Sequence, residues 1–258
     1  MQNLSDQQIT QFIEDGYVEI ENAFPALLAD ECRALLWKEI GLDPKDSKSW
    51  TKPVIRIADM SARPFDLSAN TPILLSAYEQ LAGRNWLPRH TMGSFPIRFP
   101  VPHPAGDTGW HVDTSFPGDD PFDYMNWRVN IYSKGRALLM LFLYSDVGEN
   151  DAPTKLRIGS HFDVARILKA NGENGFSGME LAQELHHSSH RKEAIATGKA
   201  GTVYLCHPFL VHAAQEHRGT TPKFMAQPPL LSRQEFKLER DDNNYCPVEA
   251  AILKAIAK

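Results

Sequence analysis

His111, Val112 and Asp113 lie in the stretch Gly109-Trp110-His111-Val112-Asp113-Thr114-Ser115-Phe116. In an extended chain residues two apart share a face, so the His111 imidazole and the Asp113 carboxylate project together while Trp110 and Val112 point the other way. An imidazole beside a carboxylate can chelate one divalent metal, and a third ligand from elsewhere completes a facial triad. A bare His-x-Asp is a weak signal, because the same pair arises as a histidine hydrogen-bonded to a neighbouring aspartate. Downstream, Thr202-Val203-Tyr204-Leu205 reads as a strand running into Cys206-His207-Pro208-Phe209-Leu210-Val211-His212-Ala213-Ala214. His207 and His212 are five residues apart, so on an extended segment they face opposite sides and only one can join the site. His212 is followed by two small alanines and, eleven residues on, by Lys223. That order of parts suits a metal carrying an oxo-acid, whose distal carboxylate needs a nearby cation, and it favours His212 over His207. Two histidines and one carboxylate leave about half of an octahedral metal's positions open, enough for a bidentate oxo-acid and then O₂.

These residues must be held by a scaffold, and its elements are legible. Ser5 caps a helix over Asp6–Asp15 that Gly16 stops, a short alternating strand follows at Tyr17–Ile20, and Ala26–Ile40 has one apolar helical face ended by Gly41. Thr71, Pro72 and Gly83 punctuate a further helix at Pro72–Leu81. From Ser94 the texture changes to strands: Ser94–Phe99, Trp110–Asp113, Arg128–Tyr132, Ala137–Tyr144, Thr154–Ile158, Thr202–Cys206 and Phe224–Leu230. One insertion, roughly His161–Gln183, returns to helix, with Ser160 and Asp163 spaced as a capping box. The continuously apolar Ala137–Tyr144 suits a central strand covered on both faces. Helices gathered in the first third and strands thereafter predict an α+β protein, mainly β, with helices packed outside an antiparallel sandwich or barrel.

The chain has 258 residues, fewer than two domains' worth at about 150 residues each. We expect one domain over 1–258, with a helical flank at about 1–90 and the core at about 91–235. Hydrophobic residues at 42% and charged residues at 23% exclude a disordered or collagen-like chain. The longest apolar run, Ala137–Tyr144, is eight residues, against the roughly 20 that a membrane-spanning helix needs. A net charge of −5 with no Lys/Arg block argues against nucleic acid and anionic membrane as main partners. Three cysteines without close spacing, and an opening Met-Gln-Asn-Leu-Ser with no basic or apolar leader, point to the cytoplasm.

The sequence resembles the phytanoyl-CoA dioxygenase family of iron(II)- and 2-oxoglutarate-dependent oxygenases. The matching pieces are GWHVDTSF for the His-x-Asp motif, ALLMLFLYSDVGENDAPTKLRIGSH for the central strand–turn–strand and its Gly-Ser-His ending, and GTVYLCHPFLVHAAQEHRGTTPKFMAQPPL for the distal histidine. They span roughly residues 94 to 230, and the earlier DGYVEIENAF resembles the family's opening helix–strand. The resemblance implies a double-stranded β-helix, a cupin-like jelly roll, with His111, Asp113 and His212 as iron(II) ligands. It further implies 2-oxoglutarate and O₂ as cosubstrates, a small-molecule substrate, and hydroxylation of an unactivated C–H bond as the default reaction. It gives the cation eleven residues past the distal histidine to the 5-carboxylate of 2-oxoglutarate. The family usually carries arginine there. Lys223 is a flexible point charge lacking arginine's planar fork, so a weaker grip is expected. Arg218 competes for that role, and Arg56, in the extended Val54–Ile57, matches a basic residue the family uses near the cosubstrate.

Other features have plainer readings. Gly159-Ser160-His161 reads as a helix cap, because adjacency alone does not build a nucleophile–base pair. His186-His187-x-x-His190 reads as a solvated stretch, and Gly172-x-x-Gly175-x-x-Gly178 follows a helix, the wrong context for a phosphate loop. Thr114–Trp127 is the expected lid. Its Asp119, Asp120 and Asp123 raise a cationic substrate as an option, while Trp127, Asn130 and Tyr132 are candidate pocket walls. A zinc hydrolase or a non-catalytic small-molecule binding protein on the same fold would use the same ligands without needing Lys223.

Overall fold

The computed structural model describes residues 3–257. Seven α-helices are present among them: α1 Asp6–Asp15, α2 Ala26–Ile40, α3 Arg63–Ala69, α4 Pro72–Ala82, α5 Ser160–Lys169, α6 Gly178–Glu184 and α7 Pro247–Ile256. The strands are β1 Tyr17–Ile20, β2 Val54–Ile57, β3 Phe95–Arg98, β4 Arg128–Val129, β5 Leu138–Leu143, β6 Thr154–Arg157, β7 Phe176–Ser177, β8 Glu193–Ala196, β9 Val203–Cys206, β10 His212–Ala213, β11 Met225–Ala226 and β12 Pro229–Leu230. Strands pair antiparallel throughout, in a five-stranded sheet ordered β1-β9-β5-β11 with β12 also on β5, a three-stranded sheet β10-β6-β8, and the pairs β2-β3 and β4-β7.

The local signals account for much of this. Ser5 accepts from the Gln8 backbone N–H while the Gln8 side chain reaches back to Ser5, closing a capping box, and Gly16 ends α1 at φ +88°. A Cβ at Gly16 would lie 2.5 Å from His161 Nδ1 and 2.8 Å from Leu210 Cδ1, so glycine serves both the turn and the close packing. Every residue of β5 is buried. Leu138, Met140 and Phe142 enter one apolar cluster and Leu139, Leu141 and Leu143 another, as expected of a strand covered on both faces. No helix among the described residues is long and apolar enough to cross a membrane.

Several expected elements differ. Helices cover more residues than strands, so the chain is α+β without being mainly β. Trp110–Asp113 is reduced to one bridge between His111 and His212, and Arg128–Tyr132 shrinks to β4. Phe224–Leu230 splits into β11 and β12 because the Gln227 N–H leaves the ladder for the Ser94 carbonyl at 2.9 Å. The Ser160–Asp163 capping box is absent: Gly159 at φ +75° precedes the helix, and the Ser160 Oγ accepts from the Val211 N–H instead. Asp163 pairs with Arg166 and Arg191. Helices α3 and α7 were not foreseen. The latter returns from the C-terminus to pack on α1, α4 and α5, so helices are not confined to the first third.

Beneath α7 lie two buried histidines with ring centroids 4.9 Å apart. His161 Nε2 donates to the Ile13 carbonyl, while its buried Nδ1 makes no hydrogen bond among the described residues. His207 Nε2 donates to the Val248 carbonyl and its Nδ1 accepts from the Phe209 N–H. His207, whose Nδ1 accepts, is therefore neutral. Burial pushes the His161 pKa down to about 4, with Arg191 adding to the effect and Asp163 opposing it. Burial also holds His207 well below the usual value, with His161 adding to it. A buried histidine with a depressed pKa contributes stability that is complete above the unfolded value of about 6.5 and is lost as pH falls below it. We expect stability to fall below about pH 6.5 by up to ~1.4 kcal/mol per pH unit per histidine. Urea unfolding at about pH 7.5 and about pH 5 checks this; coincident midpoints would refute it.

Candidate metal centre

The His111–His212 bridge that replaces an expected strand, together with the short strand β10, brings the chemistry together. His111 and His212 exchange backbone hydrogen bonds of 2.9 and 3.0 Å, and β10 anchors His212 against Leu156 of β6. On the opposite side of the His111 segment, Trp110 is flanked by Lys155 Nζ at 4.3 Å and Arg157 Cζ at 4.2 Å from its ring centroid, and Val112 is buried. With Trp110 and Val112 held on that side, His111 and Asp113 project together. One ligand atom from each of His111, Asp113 and His212 lies within 4.8 Å of the others, the one such grouping among the described residues.

The hydrogen bonds fix which atoms face inward. His111 Nδ1 is 2.9 Å from the Gly109 carbonyl and His212 Nδ1 is 3.0 Å from that of Leu210, so each Nδ1 carries the proton and donates it. Each Nε2 is thereby left with a lone pair, and these stand 3.7 and 3.6 Å from Asp113 Oδ1. Asp113 Oδ2 accepts from Arg136 Nη1 at 3.2 Å and from Gln227 Nε2 at 3.4 Å. Burial alone would raise the Asp113 pKa. The Arg136 guanidinium, the largest opposing influence, outweighs it and holds the carboxyl below its usual range. This donor set, two imidazole lone pairs and a carboxylate, fits a divalent first-row metal such as Fe(II).

Next to the triad is a cavity of about 220 Å³ whose lining includes Arg56, Arg98, Asp107, Lys223 and Gln227. Lys223 is buried, its Nζ donating to the Ala152 carbonyl, and it is bridged through the backbone to equally buried Arg98. Arg98 Nη2 lies 2.7 Å from both Asp107 oxygens. Arg56, 54% exposed, pairs with the same carboxylate from the rim. Burial, with Arg98 adding to it and Asp107 opposing, pushes the Lys223 pKa down to about 7. Arg218 is exposed and lines a different depression with Glu149 and Glu216.

Other candidates stand apart. His207 belongs to the core beneath α7. His186, His187 and His190 are exposed. Gly175, at φ +57°, sits where a Cβ would come within 2.0 Å of the Val129 carbonyl oxygen, so this glycine serves the β4–β7 pairing. In the expected lid, Asp120 and Asp123 accept from the backbone of Phe122 and Met125, and Asp119 is exposed. None of the three lines the cavity, so they give no support to a cationic substrate. Trp127, Asn130 and Tyr132 do not line it either; Asn130 is spent on the Glu173 carbonyl and the Lys134 N–H.

Four residues at the site had not been singled out: Arg98, Asp107, Arg136 and Gln227. Arg98 and Gln227 each left a signal, a lone polar residue in an otherwise apolar strand pattern. Arg136 left none, because its partner Asp113 is 23 residues away, and Asp107 left none, because it lies outside any helix or strand pattern.

No protein-family profile matches the sequence, and no curated protein matches it. Solved structures do. The non-haem alpha-ketoglutarate-dependent carbocyclase SnoK from nogalamycin biosynthesis aligns with TM-score 0.60 at 16% identity, covering 93% of this chain and 89% of SnoK. HygX from Streptomyces hygroscopicus, with nickel and 2-oxoglutarate bound, gives 0.55 at 18% identity over 88% of this chain and 86% of HygX. EctD from S. alaskensis, with 2-oxoglutarate and 5-hydroxyectoine, gives 0.52 at 19% identity over 91% and 85%. The chain therefore shares its fold with structures that include 2-oxoglutarate-dependent enzymes.

Proposed function

We propose that the protein is an Fe(II)- and 2-oxoglutarate-dependent oxygenase, an oxidoreductase that hydroxylates an unactivated C–H bond of a small molecule. In this reading it is of the phytanoyl-CoA dioxygenase type, one domain over 1–258 with a jelly-roll core. One observation carries the reading: the two Nε2 lone pairs and the Asp113 carboxylate converge beside a cavity that also holds buried cations. Burying Lys223 and Arg98 is costly unless an anion offsets it, and among the described residues Asp107 is the only carboxylate lining the cavity besides Asp113. A dicarboxylate that chelates a metal through one end and meets Lys223 with the other answers both features. HygX with nickel and 2-oxoglutarate, and EctD with 2-oxoglutarate, support the choice of oxo-acid.

His111, Asp113 and His212 would hold the iron. Bound there with 2-oxoglutarate and O₂, it supplies oxidative decarboxylation to succinate and CO₂ and the oxidising power for the C–H bond. The Gly109 and Leu210 carbonyls keep both imidazoles in the ligating tautomer. Lys223 binds and orients the distal carboxylate, with Arg98 behind it and Arg56 at the rim. The half-exposed edge of His111 marks the side open to a substrate.

The test is anaerobic. Iron(II) and then 2-oxoglutarate are expected to give a weak visible charge-transfer band that needs both additions and disappears with O₂ as succinate forms. Bound metal without a band would count against the reading and favour a hydrolase or a binding protein.

A further inference from the structure

We propose that Arg136 and Gln227 are positioning residues that make Asp113 a one-oxygen metal ligand, so that the positions a chelating oxo-acid requires stay open. The inference rests on the metal-centre reading above and goes beyond it, since neither residue is one of the three donors.

The two oxygens of Asp113 have different surroundings. Oδ1 faces the two Nε2 lone pairs at 3.7 and 3.6 Å, whereas Oδ2 is engaged by Arg136 Nη1 at 3.2 Å and Gln227 Nε2 at 3.4 Å. For both oxygens to turn toward one cation, the carboxylate must give up a charge-assisted hydrogen bond in a water-poor place. The distinction decides the chemistry. A carboxylate bound through both oxygens, with two imidazoles, leaves about two octahedral positions. One bound through a single oxygen leaves about three, which a bidentate oxo-acid and O₂ together need.

Both clamping groups are themselves fixed. Arg136 is buried, its Nη2 donates to the Thr114 carbonyl at 3.0 Å, and its own carbonyl accepts from Ser133 Oγ at 2.7 Å. The next residue, Ala137, donates to Leu230 at 2.7 Å, tying the turn to the central sheet beside β5. Gln227 occupies the break between β11 and β12, its N–H on the Ser94 carbonyl. Its Nε2 is also 3.0 Å from His212 Nε2, a contact that a metal taking that lone pair would displace, leaving Asp113 Oδ2 as the amide's partner. The break in the strand therefore places an amide donor against two ligands. An ordinary surface ion pair would explain none of this, because Arg136 is 7% exposed and also grips the residue that follows the ligand.

The experiment compares wild type with Arg136→Met, Arg136→Lys and Gln227→Met, using Co(II) loaded into metal-free protein under anaerobic conditions. Three quantities are read: Co(II) affinity, the visible spectrum of the bound Co(II), and the affinities for 2-oxoglutarate and for glutarate, which has the same length and lacks the 2-oxo group. In Arg136→Met we expect Co(II) affinity close to wild type, an altered Co(II) spectrum, glutarate binding unchanged, and 2-oxoglutarate binding weakened by about tenfold or more. Gln227→Met shifts the same quantities less, and Arg136→Lys recovers part of the loss. If Arg136→Met does not fold, Gln227→Met decides, since it leaves the Arg136–Asp113 pair in place. An unchanged spectrum and unchanged 2-oxoglutarate affinity overturn the proposal, and so does a parallel loss of metal, 2-oxoglutarate and glutarate binding, the mark of a purely structural pair. Wild-type protein that holds Co(II) yet prefers 2-oxoglutarate no more than glutarate would defeat the oxygenase reading itself, and the clamp with it.

Discussion

Replacing His111 with alanine is expected to reduce 2-oxoglutarate consumption by more than about 100-fold, because two remaining ligands hold a divalent metal poorly and leave its geometry undefined. The fold should survive. The His111 side chain is 43% exposed and its one hydrogen bond is to the Gly109 carbonyl two residues away. The bridge to His212 runs through the backbone and does not need the imidazole. A stability change within about 1 kcal/mol is expected, as for substitutions outside the core. Asp113→Ala would be a worse probe: it strands the buried Arg136 cation, and orphaning one member of a buried pair costs about 3–5 kcal/mol. Succinate formation and a thermal melt, measured on the same His111→Ala preparation, decide the matter. Wild-type consumption in that variant would remove His111 from the site.

Lys223→Met should separate stability from binding. Burial pushes the Lys223 pKa down to about 7, Arg98 adds to this and Asp107 offsets part of it, and His217 lies within the same field. The protonated form is thus disfavoured in the folded state relative to the unfolded chain, where lysine titrates near 10.4. The sign follows: the destabilisation is full below about pH 7 and fades as pH rises toward about 10.4. Methionine removes the buried charge while keeping most of the volume, so the variant is expected to be more stable than wild type at neutral pH, by about 1–4 kcal/mol. It should also bind 2-oxoglutarate about 10- to 100-fold more weakly, the worth of a hydrogen bond to a charged group. Wild-type affinity for the dianion should be flat below about pH 7 and weaken by about tenfold per unit above it, since the ammonium must then be reprotonated on binding. Lys223→Met and Lys223→Arg should both lack that slope, the first having no charge there and the second never losing it. Calorimetric titrations across pH test all three. A slope that persists in Lys223→Met would take the distal carboxylate away from Lys223.

How much of this could be read from the chain depends on the range of the interaction responsible. Helix α1 was legible because Ser5, Gln8 and Gly16 are each within one turn of the backbone groups they satisfy. The same holds for α2 and Gly41, and for β5, whose unbroken apolar run requires cover on both faces. Ser160 misled because its hydroxyl accepts from Val211, 51 residues away, and not from its own helix. Local capping chemistry was outbid by a tertiary partner. Helix α7 was missed although Cys246 and Glu249 form a capping box, since Cys246 is not a residue from which a cap is ordinarily read.

At the site, alternation in an extended chain was enough to pair His111 with Asp113, and the five-residue spacing of His207 and His212 was enough to say that only one could join them. The amino-acid types alone thus determined which donors were on offer and that Lys223 stood in order behind them. Which donors meet was decided by the tertiary structure. The bridge from His111 to His212 and the bridge from Arg98 to Lys223 each cross more than a hundred residues of chain, and no local pattern encodes such a pairing. Arg136, 23 residues from Asp113, and Gln227, 114 residues from it, reach the same oxygen only because β5, β11 and β12 are packed side by side. Donor identity is a property of side-chain chemistry and survives in the sequence. Donor geometry is set by burial and long-range backbone pairing, whose entropy cost is met only when the whole core closes.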